Sequence, residues 1–128
     1  MTSYSYHHIH LLSTDAVAAA MFYETMFGAT FTESKGGNGL PRCHVDIGGQ
    51  LILISTADDR AREPATGPHS QRGLDHIGIR VDDMDEAAVE LKQRGAEFSV
   101  EPRQFRPGIR IAFLRAPDGV SVELVEYR

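Results

Sequence analysis

The sequence predicts an α+β fold built from two βαβββ modules. Three observations predict it. First, HIHLLSTD from His8 and HIGIRVDD from His76 begin alike, and each reaches an aspartate, Asp15 or Asp83, seven residues after its histidine. Second, each then runs to a glycine, Gly28 or Gly95, followed by Ala-x-Phe. Third, three strand-like segments follow each glycine, with tight-turn residues at Gly48-Gly49 and Pro117-Asp118-Gly119 between the last two. One supersecondary unit is written twice.

The elements follow in order. His8 to Ser13 alternates apolar and polar residues and reads as a strand. Asp15 is placed to accept a hydrogen bond from a free N–H of the next helix, Ala16 to Phe27. Val17, Met21 and Met26 are that helix's candidate core face. Gly28 suits a left-handed cap at its end. Strands are expected at Thr30 to Glu33, Arg42 to Ile47 and Gln50 to Ser55. Residues 56–73 carry Asp, Arg, Pro, Gly and Ser with little apolar content, and read as a linker between modules at 1–55 and 74–128. The second module repeats the plan: strand His76 to Val81, cap Asp83, helix Met84 to Arg94 with Met84, Ala88 and Leu91 inward, and Gly95 at its end. Strands Glu97 to Val100, Ile109 to Arg115 and Val120 to Tyr127 complete it.

Composition narrows the function classes. The chain has 128 residues, of which 41% are hydrophobic and 24% charged, an ordinary globular balance. A net charge of -5 and the absence of a Lys/Arg run speak against nucleic acid as a partner. No stretch approaches the roughly 20 apolar residues that span a membrane. No basic segment followed by an apolar one opens the chain, so no signal peptide is expected. The single cysteine, Cys43, precludes an intramolecular disulfide and is expected as a buried, inert thiol in a cytoplasmic protein.

HIHLLSTD with MFYETMFGA, LDHIGIRVDDMDEA and IAFLRAPDGVSVELVE together resemble the vicinal oxygen chelate superfamily. That group contains glyoxalase I, methylmalonyl-CoA epimerase, fosfomycin resistance enzymes, bleomycin-binding proteins and extradiol dioxygenases. The resemblance covers nearly the whole chain. It implies a half-open curved sheet around a metal-binding cleft, with ligands from the first and last strands of each module. Carried over by position, those ligands are His8, His76 and Glu123. Aligning Gly49 with Gly119 puts Leu53 where the first module would carry its own last-strand ligand, a departure from the four-ligand pattern of glyoxalase I. The resemblance also implies a homodimer, with the cleft formed within one chain or across two.

Two imidazoles and one carboxylate suit a divalent first-row metal: iron, manganese, zinc, nickel or cobalt. Three protein ligands leave positions open for substrate or water, as catalysis needs. Alternation supports the set. If Ile9 and Leu11 face the helix, His8 and His10 face the cleft and His7 points away. Likewise Ile77 and Ile79 inward leave His76 outward, and Val122 and Leu124 inward leave Glu123 outward. His44 and His10 are candidate bases, and His44 is also a candidate fourth ligand; a solvated strand histidine is the plain alternative. Arg42 and Arg110 are expected at matching places in the two modules, and either suits a substrate carboxylate or phosphate. Glu126 is expected at a fraying strand end, Tyr23 in the core, and His69 without a role.

Three functions compete. A glyoxalase- or epimerase-like lyase or isomerase, acting on a small molecule that chelates through neighbouring oxygens, is favoured. A dioxygenase with a two-His-one-Glu iron site is the alternative. It is weakened because the His and Tyr that precede the last-strand Glu in that group are absent from Gly108-Ile109-Arg110-Ile111-Ala112-Phe113. A metal-free drug-binding protein is the third. It is weakened by 8% aromatic content and no Trp for stacking a flat ligand.

Overall fold

A computed structural model describes residue 3, residues 5–58, residues 61 and 69, and residues 74–128. The chain forms two compact units, residues 1–62 and 63–128. Most of the expected linker lies outside the described residues. Thr56, expected to begin it, is instead the last residue of a strand.

The first unit contains β1 (His8–Ser13), α1 (Ala16–Phe27), β2 (Thr30–Lys35), β3 (Pro41–Ile47) and β4 (Gln50–Thr56). Its sheet has the order β1-β4-β3-β2. β1 runs parallel to β4, and the other neighbours are antiparallel. The second unit contains β5 (Ile77–Arg80), α2 (Met84–Gln93), β6 (Phe98–Arg106), β7 (Ile109–Arg115) and β8 (Ser121–Tyr127). Its order, β5-β8-β7-β6, repeats the first, again with one parallel pair. This is the predicted α+β architecture of two βαβββ units with open sheets.

Both helices start as predicted. Asp15 accepts from the Ala18 N–H and Asp83 from the Glu86 N–H, each at 3.0 Å; caps of this kind contribute about 1 kcal/mol. α1 ends at Gly28, whose φ of 69° a side chain would resist. Gly48 and Gly49 both have positive φ, as a two-residue hairpin turn requires.

Each helix covers one face of its sheet, but not always through the expected residues. In α1 the buried positions are Ala16, Ala19, Ala20, Tyr23 and Met26. Met21 is 51% exposed and does not belong to the core. Small alanines form the contact stripe against β3 and β4, whose Cys43, Val45, Ile52 and Ile54 are all buried. In α2, Met84, Ala88 and Leu91 are buried as expected.

A second cap operates at the first helical residue of each unit. Thr56 Oγ1 accepts from the Ala16 N–H at 3.3 Å and donates to the Pro41 carbonyl at 2.8 Å. In the second unit Glu126 Oε2 accepts from the Met84 N–H at 2.6 Å. Thr56 and Glu126 each stand seven residues after their turn glycines, Gly49 and Gly119. Glu126 is therefore not at a frayed end. It is 2% exposed, is held by Arg128 as well, and ties β8 to the start of α2. The helix amide and Arg128 hold its carboxyl below the usual range against the opposing effect of burial.

Candidate functional site

In the first unit, cross-strand register sorts the candidate residues onto the sheet face opposite α1. His8 pairs with Leu51, and His10 with Leu53. Leu53 also pairs with His44, and Ser55 with Arg42. Paired residues share a face, so His8, His10, Arg42, His44, Leu53 and Ser55 lie together on it. Leu53, 5% exposed, stands between His10 on one neighbouring strand and His44 on the other. His44 itself is exposed.

Local contacts set the imidazoles. His10 Nε2 lies 2.8 Å from Ser55 Oγ. Burial, then the Arg42 guanidinium, then His8, hold the His10 pKa below its ordinary value, which favours the neutral ring at pH 7. His8 Nδ1 lies 2.7 Å from His7 Nδ1, one ring donating and the other accepting. The expectation that His7 points away does not hold, because β1 begins at His8 and strand alternation does not reach His7. With Nδ1 engaged, Nε2 is the His8 nitrogen left for a ligand.

In the second unit, His76 and Glu123 come together. His76 Nε2 lies 3.4 Å from Glu123 Oε1, with both side chains partly exposed. On its other side, His76 Nδ1–H donates to Asp75 Oδ2 at 2.7 Å. That bond selects the tautomer whose Nε2 lone pair faces Glu123. The same Asp75 carboxylate takes the His69 backbone N–H at 2.6 Å and meets His69 Nδ1 at 2.8 Å. The His76 hydrogen bond, helped by His69, lowers the Asp75 pKa. His69 is thus engaged, contrary to expectation. Phe113, the cross-strand partner of Glu123, sets its ring edge-on to His76 at 5.2 Å.

Arg110 is the clearest departure from the expected site. Register aligns Arg42 with Ser55, two residues beyond Leu53, and aligns Ile111 with Val125, two residues beyond Glu123. The counterpart of Arg42 is therefore Ile111. Arg110 is one residue off, and one residue in a strand reverses the face. Arg110 shares the helix-side face with Glu126 and donates to Asp85 Oδ1 at 2.9 Å.

The donor chemistry of the His76–Glu123 pair fits a divalent ion. The 3.4 Å separation exceeds the 2.7–2.9 Å of a charge-assisted hydrogen bond. It matches two ligands that each stand about 2.1 Å from one tetrahedral centre. An imidazole whose far nitrogen donates to a carboxylate is the usual state of a metal-ligating histidine. Within either unit, among the described residues, no three His, Cys, Asp or Glu side chains form a complete ligand cluster.

Over residues 5–124 the chain matches the family model described as Glyoxalase/Bleomycin resistance protein/Dioxygenase superfamily. It is 26% identical over 125 residues to the uncharacterised protein YaeR of Escherichia coli (strain K12), covering 94% of each chain. Its fold is similar to that of the glyoxalase family protein from Enterococcus faecalis, with a TM-score of 0.79, 23% identity, and 95% and 97% of the two chains covered. It is also similar in fold to a mutant of the fosfomycin resistance protein FosX from Listeria monocytogenes, complexed with Mn(II) and 1S,2S-dihydroxypropylphosphonic acid. That match has a TM-score of 0.71, 20% identity, and 99% and 93% coverage. Among the described residues, no helix is long and apolar enough to cross a membrane.

Proposed function

The chain belongs to the glyoxalase/bleomycin resistance protein/dioxygenase superfamily, and on that premise we propose that it is a metal-dependent enzyme acting on a small molecule with neighbouring oxygens. His8, His76 and Glu123 would hold one divalent ion of iron, manganese, zinc, nickel or cobalt. Bound there, the ion would supply Lewis-acid polarisation of substrate oxygens. The observation that carries this reading is the His76–Glu123 pair with Asp75 behind it. The Mn(II) in FosX supports it.

The rest of the proposal concerns proton movement. A lyase or isomerase of the glyoxalase or epimerase kind moves a proton next to a carbonyl, which needs a neutral base at working pH. His10, held below its ordinary pKa and hydrogen-bonded to Ser55, suits that task, and His44 across Leu53 is the second candidate. Leu53 keeps the position between them apolar. A homodimer in the cytoplasm completes the proposal; the single thiol, Cys43, is buried in β3 and suits a reducing compartment.

The second reading is a dioxygenase, favoured by the two-His-one-carboxylate set. One experiment separates the two. Protein loaded anaerobically with each metal is incubated in D2O with small 2-oxo and 2-hydroxy carbonyl compounds and followed by proton NMR. Oxygen uptake is measured in parallel with catechols. Metal-dependent exchange of a carbon-bound proton supports the isomerase or lyase. Oxygen uptake without exchange replaces it with the dioxygenase, and neither would overturn both.

A further inference from the structure

We propose that the first unit carries an oxyanion-recognition pocket centred on Arg42, for a small molecule bearing a carboxylate or phosphoryl group. Its use as a substrate pocket rests on the function proposed above; its binding chemistry does not require the metal.

The pocket is a cavity of about 540 Å³ formed entirely by first-unit residues, among them His10, Leu12, Asn38, Arg42, Ser55 and Asp58. Most of its polar wall is already committed. Asn38 Nδ2 donates to the Thr56 carbonyl at 3.1 Å, and Asn38 Oδ1 accepts from the Leu40 N–H at 3.0 Å. Ser55 Oγ is joined to His10 Nε2. Thr56 Oγ1 is spent on Ala16 and Pro41.

Arg42 differs. Its Nε is buried and has no hydrogen-bond partner among the described residues. A buried, unmatched N–H is destabilising, so such a group is usually matched by something. A guanidinium offers parallel N–H donors in a planar fork, the geometry of a carboxylate or phosphoryl group. No acidic side chain among the described residues forms an ion pair with Arg42, in contrast to Arg110 on Asp85 and Arg128 on Glu126. Asp58 also lines the pocket.

The test uses metal-free protein titrated separately with inorganic phosphate and with succinate, followed by amide NMR at Asn38, Arg42 and Ser55. Saturable shifts there are expected with at least one probe. Arg42→Gln is expected to weaken binding at least tenfold, and Lys92→Gln, an equal charge change on the other unit, to leave it unaltered. Shifts with phosphate alone identify a phosphoryl ligand, with succinate alone a carboxylate, and with both a site that accepts either. If Arg42→Gln lowers the melting temperature, Arg42→Lys decides, because it keeps the charge, loses the fork and is expected to bind several-fold more weakly. No saturable shift with either probe, or equal affinity in both Arg42 variants and wild type, would overturn the proposal. Metal content is measured on separate samples, so failure of the metal site and failure of the pocket are distinguishable.

Discussion

His76 Nε2 stands 3.4 Å from Glu123 Oε1, too far for a charge-assisted hydrogen bond and well spaced for a shared ion. Asp75 fixes this arrangement from behind, at 2.7 Å from His76 Nδ1. Removing that carboxylate while keeping its shape loosens the ring and its tautomer. Asp75→Asn is therefore expected to lower metal affinity by about 10–100-fold, with folding retained. Isothermal titration with Mn(II) or Zn(II), with circular dichroism beside it, checks this. Unchanged affinity would show that Asp75 does not position the His76 ring for a metal.

Glu126 gives the second unit an acid-sensitive joint. Its carboxyl is depressed in the folded protein, so its contribution to stability is fully present above the ordinary carboxylate pKa and is lost as pH falls through the lower folded value. Glu126→Gln should melt several degrees lower than wild type at pH 7. The gap should close as the medium becomes acidic enough to protonate Glu126 in the folded state. Melting curves across that range decide it, and a gap independent of pH would show that the charge is irrelevant.

Thr56 performs the equivalent task in the first unit without a charge. Thr56→Val removes the hydroxyl that links α1 to Pro41 and should cost about 1 kcal/mol, with no pH dependence in the acid range. Urea denaturation at pH 5 and pH 7 measures it.

Leu53 pairs with His10 and His44 on its two neighbouring strands, and we propose that it stands where the first unit's own ligand would. Leu53→Glu places a carboxylate in a buried position and should destabilise metal-free protein by roughly 1–3 kcal/mol. Added Ni(II) or Zn(II) should then raise its melting temperature by more than it raises that of wild type. An equal or smaller rise would overturn that proposal.

Much of the fold was legible because the repeat, the Asp caps and the turn glycines agree with the apolar alternation. The parts that were not legible have physical causes. β6 extends to Arg106, beyond the expected Val100; the extension is not legible in the sequence because Arg103, Gln104, Phe105 and Arg106 are exposed and carry no alternating pattern. α1 packs through alanines, so the large apolar Met21 is no guide to its buried face. Arg110 looked equivalent to Arg42 until register moved it one residue and one face. The role of Asp75 is not legible in the sequence because neighbours along a strand point apart. β5 begins only at Ile77, which leaves Asp75 room to fold back onto the His76 ring.

The proposed binding of one divalent ion by His8, His76 and Glu123 rests on the His76–Glu123 pair. Elemental mass spectrometry on untagged protein purified without chelator tests it most directly, with His76→Ala prepared in parallel. Close to one divalent metal per chain is expected in wild type, and its loss in the variant. No bound metal, and none taken up from added iron, manganese, zinc, nickel or cobalt, would contradict it.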